Sequence, residues 1–203
     1  DGVVSGGNDV RAYYNQMLTE CKGLQRLIID LLELSRLQNA DFSLNMGNVD
    51  VRELLGDVAM SAGALCSRKG VRFDCREPGN ALQIVGDYAR LRQMLLVVLD
   101  NAVKFTPEGK RVSLALEGKT IVIADEGIGI PAEELAHIFD RFRRTRRSNE
   151  QGTGLGLAIC SEVARRHGIH PRRSHAARRD AHAACRARRR QQLHVCLPRA
   201  VLL

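Results

Sequence analysis

Four short groups of residues that could handle a nucleotide follow one another in one stretch of the chain. An amide side chain, Asn101, lies late in an apolar segment, and a carboxylate, Asp125, follows a β-branched run and precedes two glycines. Next come a Phe-x-x-Phe element at 139–142 and a glycine-rich turn at 152–157. Each is a weak signal alone, but all four in this order indicate one nucleotide site.

The amide of Asn101 is suited to hold a metal ion together with phosphates. Amide oxygens are hard ligands of the kind that Mg²⁺ takes along with water and phosphate oxygens. The helical period predicts that Lys104 follows one turn later on the same edge, within reach of those phosphates. For this pair taken alone, an exposed Asn beside a solvated Lys is the alternative.

Asp125 ends a predicted strand, and Gly127 and Gly129 come directly after it. A carboxylate there can accept the exocyclic amine of adenine, whereas guanine presents a keto oxygen and leaves the acceptor unpaired. The glycines let the backbone turn sharply and pass close to a base. This stretch therefore predicts selectivity for adenine, with a plain Asp-Gly hairpin turn as the alternative.

The glycine-rich turn opens a predicted helix, whose free N–H groups and dipole favour a phosphate. It lacks the Gly-Lys-Ser/Thr of a Walker loop and does not directly follow a strand. Between Pro131 and Gly152 we expect a mobile lid that Phe139 and Phe142 anchor on apolar surface. The lid carries five arginines, most expected to form a solvated face and one or two to contact a γ-phosphate: Arg141, Arg143, Arg144, Arg146 and Arg147.

Hydrophobic periodicity predicts the elements that position these groups. A long helix over 11–39 has an apolar stripe wide enough to need more than one partner helix, as in a four-helix bundle. The stripe comprises Met17, Leu24, Leu27, Leu31 and Leu34. Further helices are predicted over 50–69, 86–105 and 152–167, and strands over 42–49, 71–75, 82–85, 112–116 and 120–124. This order favours an α/β fold, a two-layer α/β sandwich with a mixed sheet covered by helices.

Charge is concentrated at the C-terminal end. Residues 1–168 hold 22 Lys+Arg against 22 Asp+Glu, whereas residues 169–203 hold nine Arg and one acid, Asp180. The net charge of +8 therefore belongs to the tail, and we expect no specific nucleic-acid partner. Six scattered cysteines without a CxxC pair suit a reducing cytosol and are expected to be small buried hydrophobes.

Together the four groups resemble the N, G1, F and G2 boxes in the ATP-binding domain of bacterial sensor histidine kinases. The matching segments are Leu-Asp-Asn-Ala-Val-Lys-Phe-Thr-Pro at 99–107, Asp-Glu-Gly-Ile-Gly-Ile-Pro at 125–131, Phe-Asp-Arg-Phe at 139–142 and Gly-Thr-Gly-Leu-Gly-Leu at 152–157. Residues 30–37, Asp-Leu-Leu-Glu-Leu-Ser-Arg-Leu, are similar to the second helix of that family's dimerisation domain. The resemblance covers residues 10–168.

The resemblance implies a Bergerat ATP-binding fold preceded by a long helix from a four-helix-bundle dimerisation domain. It implies a partial dimerisation and phosphoacceptor domain at 1–45, an ATP-binding catalytic domain at 46–168 and an atypical Arg/Ala-rich tail at 169–203. The implied ligands are ATP and Mg²⁺, with Asn101 as the metal ligand. The implied ATP-binding residues are Asn101, Lys104, Asp125, Gly127, Gly129, Ile130, Phe139, Phe142, Gly152, Thr153, Gly154, Leu155, Gly156 and Leu157.

The implied reaction transfers the γ-phosphoryl group of ATP to a histidine, for relay to the receiver domain of a response regulator. All six histidines of the chain lie at or beyond position 137, so the acceptor is expected to precede residue 1. We therefore expect the chain to be cytoplasmic and to belong to a longer protein, either soluble or membrane-anchored. Alone it is not expected to autophosphorylate, and it should form a homodimer only when its helical bundle is complete.

Two features depart from the family pattern. Val97 stands where the family often has a second Asn, so weaker metal or nucleotide binding is expected. Residues 171–192 are rich in Arg and Ala without Gly, Val or Ile, and no strand is expected there, although 193–198 again resembles the family's last strand. An out-of-frame stretch, a disordered basic tail contacting nucleic acid or anionic lipid, and a solvated helix are the alternatives for the tail.

Two other functions stay open from the sequence. A degenerate module that binds or senses nucleotide without phosphotransfer is favoured by Val97, the missing acceptor and the tail. A topoisomerase- or chaperone-like ATPase would instead hydrolyse ATP steadily on its own.

Overall fold

The chain folds as five helices and seven strands within residues 7–76, 82–143, 152–175 and 191–196, the parts that the computed structural model describes. The helices are α1 (Gly7–Gln38), α2 (Val51–Lys69), α3 (Tyr88–Phe105), α4 (Ala132–Leu135) and α5 (Gly156–Arg166). The strands are β1 (Gly47–Asp50), β2 (Arg72–Arg76), β3 (Gln83–Gly86), β4 (Arg111–Glu117), β5 (Thr120–Asp125), β6 (His170–His175) and β7 (Gln191–Cys196). None of the described helices is both long enough and apolar enough to cross a membrane.

Helices α2 and α3 begin at carboxylate caps, within two residues of their predicted starts. Asp50 is extended and accepts the Arg52 N–H at 2.8 Å, and Asp87 accepts the Arg90 N–H at 3.1 Å. Helix α2 ends at Gly70, whose φ of 67° suits glycine and lets its N–H reach the last carbonyls of the helix. These local signals explain why both boundaries were predictable.

The larger sheet has five strands in the order β2-β4-β5-β7-β6. Strand β2 runs parallel to β4, and the other pairs are antiparallel, so the sheet is mixed. Strands β4 and β5, both predicted, form a hairpin with Gly118 at φ 62° in the turn. Strands β1 and β3 pair separately as a two-stranded antiparallel sheet.

Helices α2, α3 and α5 share one hydrophobic core with the sheet, which confirms the α/β prediction. Leu54, Leu95 and Val163 of these helices are fully buried. They meet the inward residues of the hairpin, including Leu114 and Ile121. The helices thus cover the sheet and place the end of β5 beside the C-terminal half of α3.

Helix α1 divides into two parts with different surroundings. Leu34 and Leu37 are 2% and 0% exposed and belong to the core of the following domain. Met17, Leu24 and Leu31 are 48%, 59% and 49% exposed. The prediction that Leu34 faces partner helices of a bundle is therefore wrong, because α5 and its neighbours cover the C-terminal end of α1. The apolar stripe before it stays open.

Several predicted boundaries are corrected. Helix α1 begins at Gly7 instead of residue 11, β1 begins at Gly47 instead of residue 42, and α5 begins at Gly156 instead of residue 152. Cys66 and Cys160 are buried as predicted, but Cys21 and Cys75 are exposed. The exposed pair lies on the open part of α1 and on β2, at the edge of the sheet.

The prediction that residues 171–192 supply no strand is wrong at both ends of that stretch. Strand β6 (His170–His175) pairs with β7, and β7 pairs with β5 in a register that sets Leu193 opposite Ile123. Backbone hydrogen bonds to a neighbouring strand can hold residues of low β-propensity, especially at an edge. The predicted last strand is confirmed and begins at Gln191. Residues 176–190 lie outside the described part.

Candidate functional site

A cleft of about 670 Å³ lies between α3, the loop after β5 and the turn before α5. Its volume is in the range of small-ligand sites, roughly 300–1,000 Å³. Most of the predicted site residues line it: Asn101, Lys104, Asp125, Gly129, Ile130, Gly152, Thr153, Gly154, Gly156 and Leu157. Three of the four sequence groups therefore meet in one cavity.

Asp125 is held at the end of β5 by a tight turn. Its Oδ1 accepts the Gly127 N–H at 2.9 Å. A Cβ on Gly127 would lie 2.7 Å from that oxygen and 2.7 Å from the carbonyl oxygen of Phe105. The same carbonyl accepts the Ile128 N–H at 3.1 Å, which ties the loop to the end of α3. Only glycine fits this approach, and it orients the partly buried carboxylate at the cleft.

Helix α3 presents Val97, Asn101 and Lys104 to the cleft, as their spacing predicts. The Lys104 ammonium lies 5.5 Å from the ring centre of Phe105. A Cβ on Gly152 would lie 3.1 Å from the Lys104 Nζ atom. The ammonium therefore stands beside the glycine-rich turn, where it can add positive charge to a phosphate site.

Val97 takes part in packing the glycine-rich turn against α3. A Cβ on Gly156 would lie 3.0 Å from Val97 Cγ1, tighter than most real contacts of this kind. Gly156 is the first residue of α5, so the absence of a side chain brings the helix N-terminus close to α3. Gly156 and Leu157, at the N-terminus of α5, thereby border the same cavity as Asn101.

The Phe-x-x-Phe element contacts the glycine-rich turn through its backbone. The Phe142 N–H donates to the Gly154 carbonyl at 3.0 Å, and both residues have positive φ, 59° and 72°. Phe139 packs against the core as predicted, but Phe142 is 58% exposed. The prediction that Phe142 anchors on apolar surface is therefore wrong, since its main chain makes the contact instead.

Four predicted ATP-binding residues do not line the cleft: Gly127, Phe139, Phe142 and Leu155. Gly127 shapes the turn of Asp125, and Leu155 is fully buried in the core. Of the lid arginines, Arg143 lines the cleft and Arg141 is exposed outside it. Arg144, Arg146 and Arg147 lie outside the described residues.

Sequence reasoning missed the wall that helices α1 and α2 contribute. Arg26, Asp30 and Glu33 of α1 line the cleft, as do Ser61, Leu65 and Arg68 of α2, and Arg92 and Gln93 of α3. The spacing of the three α1 residues, i, i+4 and i+7, puts them on one face beside a wide apolar stripe. A row of charged side chains beside the apolar stripe of α1 was the sequence signal that could have indicated this wall.

Comparisons with known proteins agree with this geometry. Residues 86–199 match the family described as histidine kinase-, DNA gyrase B-, and HSP90-like ATPase. The sensor-like histidine kinase SenX3 of Mycobacterium tuberculosis is 32% identical over 165 residues, covering 78% of this chain and 40% of that protein. The adaptive-response sensory kinase SasA of Synechococcus elongatus is 31% identical over 160 residues, covering 76% of this chain and 41% of that protein.

Among solved structures, the mycobacterial sensor histidine kinase MprB matches with a TM-score of 0.62 and 31% identity, covering 75% of this chain and 97% of that one. The chain spans about two fifths of the length of the curated relatives it matches. The family match covers more than half of the chain, and it includes Asn101, Asp125 and the glycine-rich turn. The chain therefore belongs to the histidine kinase-, DNA gyrase B- and HSP90-like ATPase family, within which it is an ATP-binding catalytic domain of the sensor histidine kinase type.

Proposed function

We propose that the cleft binds ATP together with Mg²⁺ and presents the γ-phosphoryl group to a histidine outside this chain. The observation that carries the proposal is that a carboxylate, an amide side chain and a helix N-terminus line one cavity. Asp125, Asn101 and Gly156 mark these three positions. Phosphoryl transfer depends mainly on positioning and charge neutralisation, which such a cavity supplies.

Each group has a role in the proposed complex. Asp125 would accept the exocyclic amine of adenine, with its orientation set by the Gly127 N–H. Asn101 would hold Mg²⁺, which neutralises phosphate charge when bound. Lys104 and the first N–H groups of α5 would bind phosphate oxygens. The cleft volume and these donors fit the nucleotide.

The remaining parts of the reaction belong to the longer protein. We expect the acceptor histidine on a helical bundle that pairs with the open stripe of α1, where Met17, Leu24 and Leu31 are about half exposed. A homodimer would form when this bundle is complete. The phosphoryl group would pass to the receiver domain of a response regulator, and the reaction would take place in the cytoplasm.

Calorimetric titration with ATP and Mg²⁺, with GTP as the control nucleotide, tests the binding proposal. We expect adenine-selective binding that requires Mg²⁺. Asn101→Ala should abolish the Mg²⁺-dependent part, and unchanged ATP affinity in this variant would refute the role of Asn101.

Val97→Asn is the matched substitution one turn earlier on α3. Because Val97 lines the cleft but offers no ligand, an amide there should leave ATP affinity equal or raise it. A large loss of affinity would instead show that the packing of Val97 against Gly156 holds the turn in its binding shape.

Adding a dimerisation domain that carries an intact histidine, with ATP labelled on its γ-phosphate, tests the transfer step. Label on the histidine supports kinase activity. Tight ATP binding without label would contradict the proposed transfer and leave a nucleotide-sensing module.

A further inference from the structure

The glycine-rich turn of the cleft is hydrogen-bonded to helix α1. The Thr153 hydroxyl donates to Asp30 Oδ2 at 2.6 Å, across 123 residues of sequence. Thr153 stands between Gly152 and Gly154, and its Oγ1 also accepts the Leu155 N–H at 3.3 Å. A carboxylate from α1 therefore contacts the turn where an anionic ligand would bind.

A second acidic residue of α1 adds to the same contact. Both oxygens of Glu33 accept the amide N–H₂ of Gln93, at 2.8 and 2.9 Å, and Arg90 pairs with the same carboxylate. The Glu33 side chain is only 17% exposed. Asp30 and Glu33 thus connect one face of α1 to α3 and to the glycine-rich turn.

The end of α1 is held more firmly than the part that carries Asp30. Leu37 is fully buried, and Arg166 of α5 donates to the carbonyl oxygens of Asn39 and Phe42 at 2.6 and 2.7 Å. The guanidinium carbon of Arg166 also lies 5.6 Å from the Phe42 ring centre. Movement of α1 relative to the domain would therefore pivot near its C-terminal end.

Asp30 and a bound triphosphate would compete for the same turn. Both carry negative charge. Asp30 lines the cavity that the triphosphate would enter, and both need the hydrogen-bond donors around Thr153. Like charges brought together at a few ångströms repel strongly in a partly buried site. A ligand that binds only when a contact is broken also loses the free energy of that contact.

We propose that Asp30 is an autoinhibitory latch, which holds α1 on the glycine-rich turn and is displaced when nucleotide phosphates bind. This inference rests on the proposed function, because it takes the cleft as the ATP site. Displacement frees the open part of α1, where Met17 and Leu24 lie, to change its angle to the domain. Nucleotide occupancy is thereby coupled to the orientation of the bundle helix.

Asp30→Ala tests the latch, with Glu20→Ala as the matched control. Both substitutions remove one acid from the same helix, and alanine favours helix, so α1 should be retained. Glu20 is exposed and does not line the cleft. Asp30→Ala should raise the affinity for MgATP by about fivefold or more, a typical coupling between two sites. Glu20→Ala should change it less than twofold.

Adenosine separates the latch from a general effect on the cleft. It lacks phosphates and does not compete with Asp30, so Asp30→Ala should leave its affinity unchanged. Equal MgATP affinity in the wild type and Asp30→Ala overturns the latch but leaves the proposed function standing. Absence of MgATP binding in both proteins overturns the latch and the proposed function together.

Hydrogen exchange along α1 supplies a readout that charge repulsion alone would not change. In the wild type, a non-hydrolysable ATP analogue with Mg²⁺ should accelerate exchange in the helix before Glu33. In Asp30→Ala, exchange there should already be fast and respond little to the analogue. Slower exchange of this segment in the wild type on binding would overturn the proposal, since Asp30 would then have stayed in place.

Discussion

The carbonyl oxygen of Gly154 accepts the backbone N–H of Phe142 at 3.0 Å, and the two main chains touch at this point. A Cβ on Gly154 would lie 2.9 Å from both Cα and C of Phe142. The contact joins two sequence groups that are separated by residues outside the described part. The shape of the glycine-rich turn therefore depends on the Phe-x-x-Phe element.

Gly154→Ala should therefore destabilise the turn and weaken ATP binding. The residue has φ 72°, where a side chain is strained, and the new methyl group would meet backbone that cannot move aside cheaply. We expect a loss of about 2–4 kcal/mol in the free energy of unfolding, measured by urea denaturation.

Gly109→Ala is the matched control for this substitution. Its φ is 74°, but a Cβ there meets no atom of the described residues within 4 Å, so it isolates the backbone strain of about 1–2 kcal/mol. Equal losses in the two variants would contradict the role of the Phe142 contact.

His167 should be essential for joining β3 to α3. Its Nε2 accepts the buried Asp87 N–H at 2.9 Å, so the proton resides on Nδ1, which donates to the Val163 carbonyl at 2.8 Å. His167→Ala would leave a buried donor without its acceptor and open a cavity. The expected loss is about 2–4 kcal/mol in the free energy of unfolding.

The exposed His137 provides the comparison for His167. Among the described residues it pairs with Asp140 alone, at the surface, and His137→Ala should change the free energy of unfolding by less than about 0.5 kcal/mol. Similar unfolding midpoints for the two variants in urea would show that the buried histidine is replaceable.

The stability contributed by Glu162 should depend on pH. Hydrogen bonds from Arg165, with a further contribution from Arg166, lower the pKa of Glu162 below its usual 4.5. A carboxyl group whose pKa is lower in the folded state stabilises that state above the usual value and loses the effect as pH falls through the lowered one. Glu162→Gln should thus be less stable than wild type at pH 7, by about 0.5–1 kcal/mol.

A series of urea denaturations between pH 7 and pH 3 checks this difference. It should stay constant down to about pH 5 and shrink below pH 4.5. A difference that does not change over the whole range would show that packing, and not charge, accounts for the effect of the substitution.

Thiol modification should divide the described cysteines into two classes. Burial raises the pKa of Cys160 to about 12 and also raises the pKa of Cys66, so neither thiol is expected to form a reactive thiolate at pH 8. Cys21 and Cys75 are exposed. Iodoacetamide should label this exposed pair in the folded protein, and the buried pair only after unfolding, as peptide mass spectrometry would show. Rapid labelling of Cys160 in the folded state would contradict its burial.

Local signals in the sequence were sufficient for most elements and for ten of the residues that line the cleft. Asp50 and Asp87 mark helix starts because a carboxylate satisfies the free N–H groups of the first turn. Asn101 and Lys104 were placed on one edge by the helical period alone. Such features depend on neighbours a few residues away, which the sequence displays directly.

Strand β6 shows where that reasoning ends. Its residues have low β-propensity, and the pairing with β7 depends on a partner about twenty residues later in the chain. Phe142 is a similar case, since its backbone contact with Gly154 leaves the ring exposed. Both outcomes depend on which main chains meet, and propensity does not report that.

The sequence by itself determined the family, the α/β order of elements and ten of the residues that line the cleft, because these depend on composition and spacing. Only the tertiary structure brought Asp30 and Glu33 of α1 to the cleft wall. It also divided the stripe of α1 into a part buried at Leu34 and a part left open. A helix face can be recognised from its period, but the partner that covers it is decided by long-range packing.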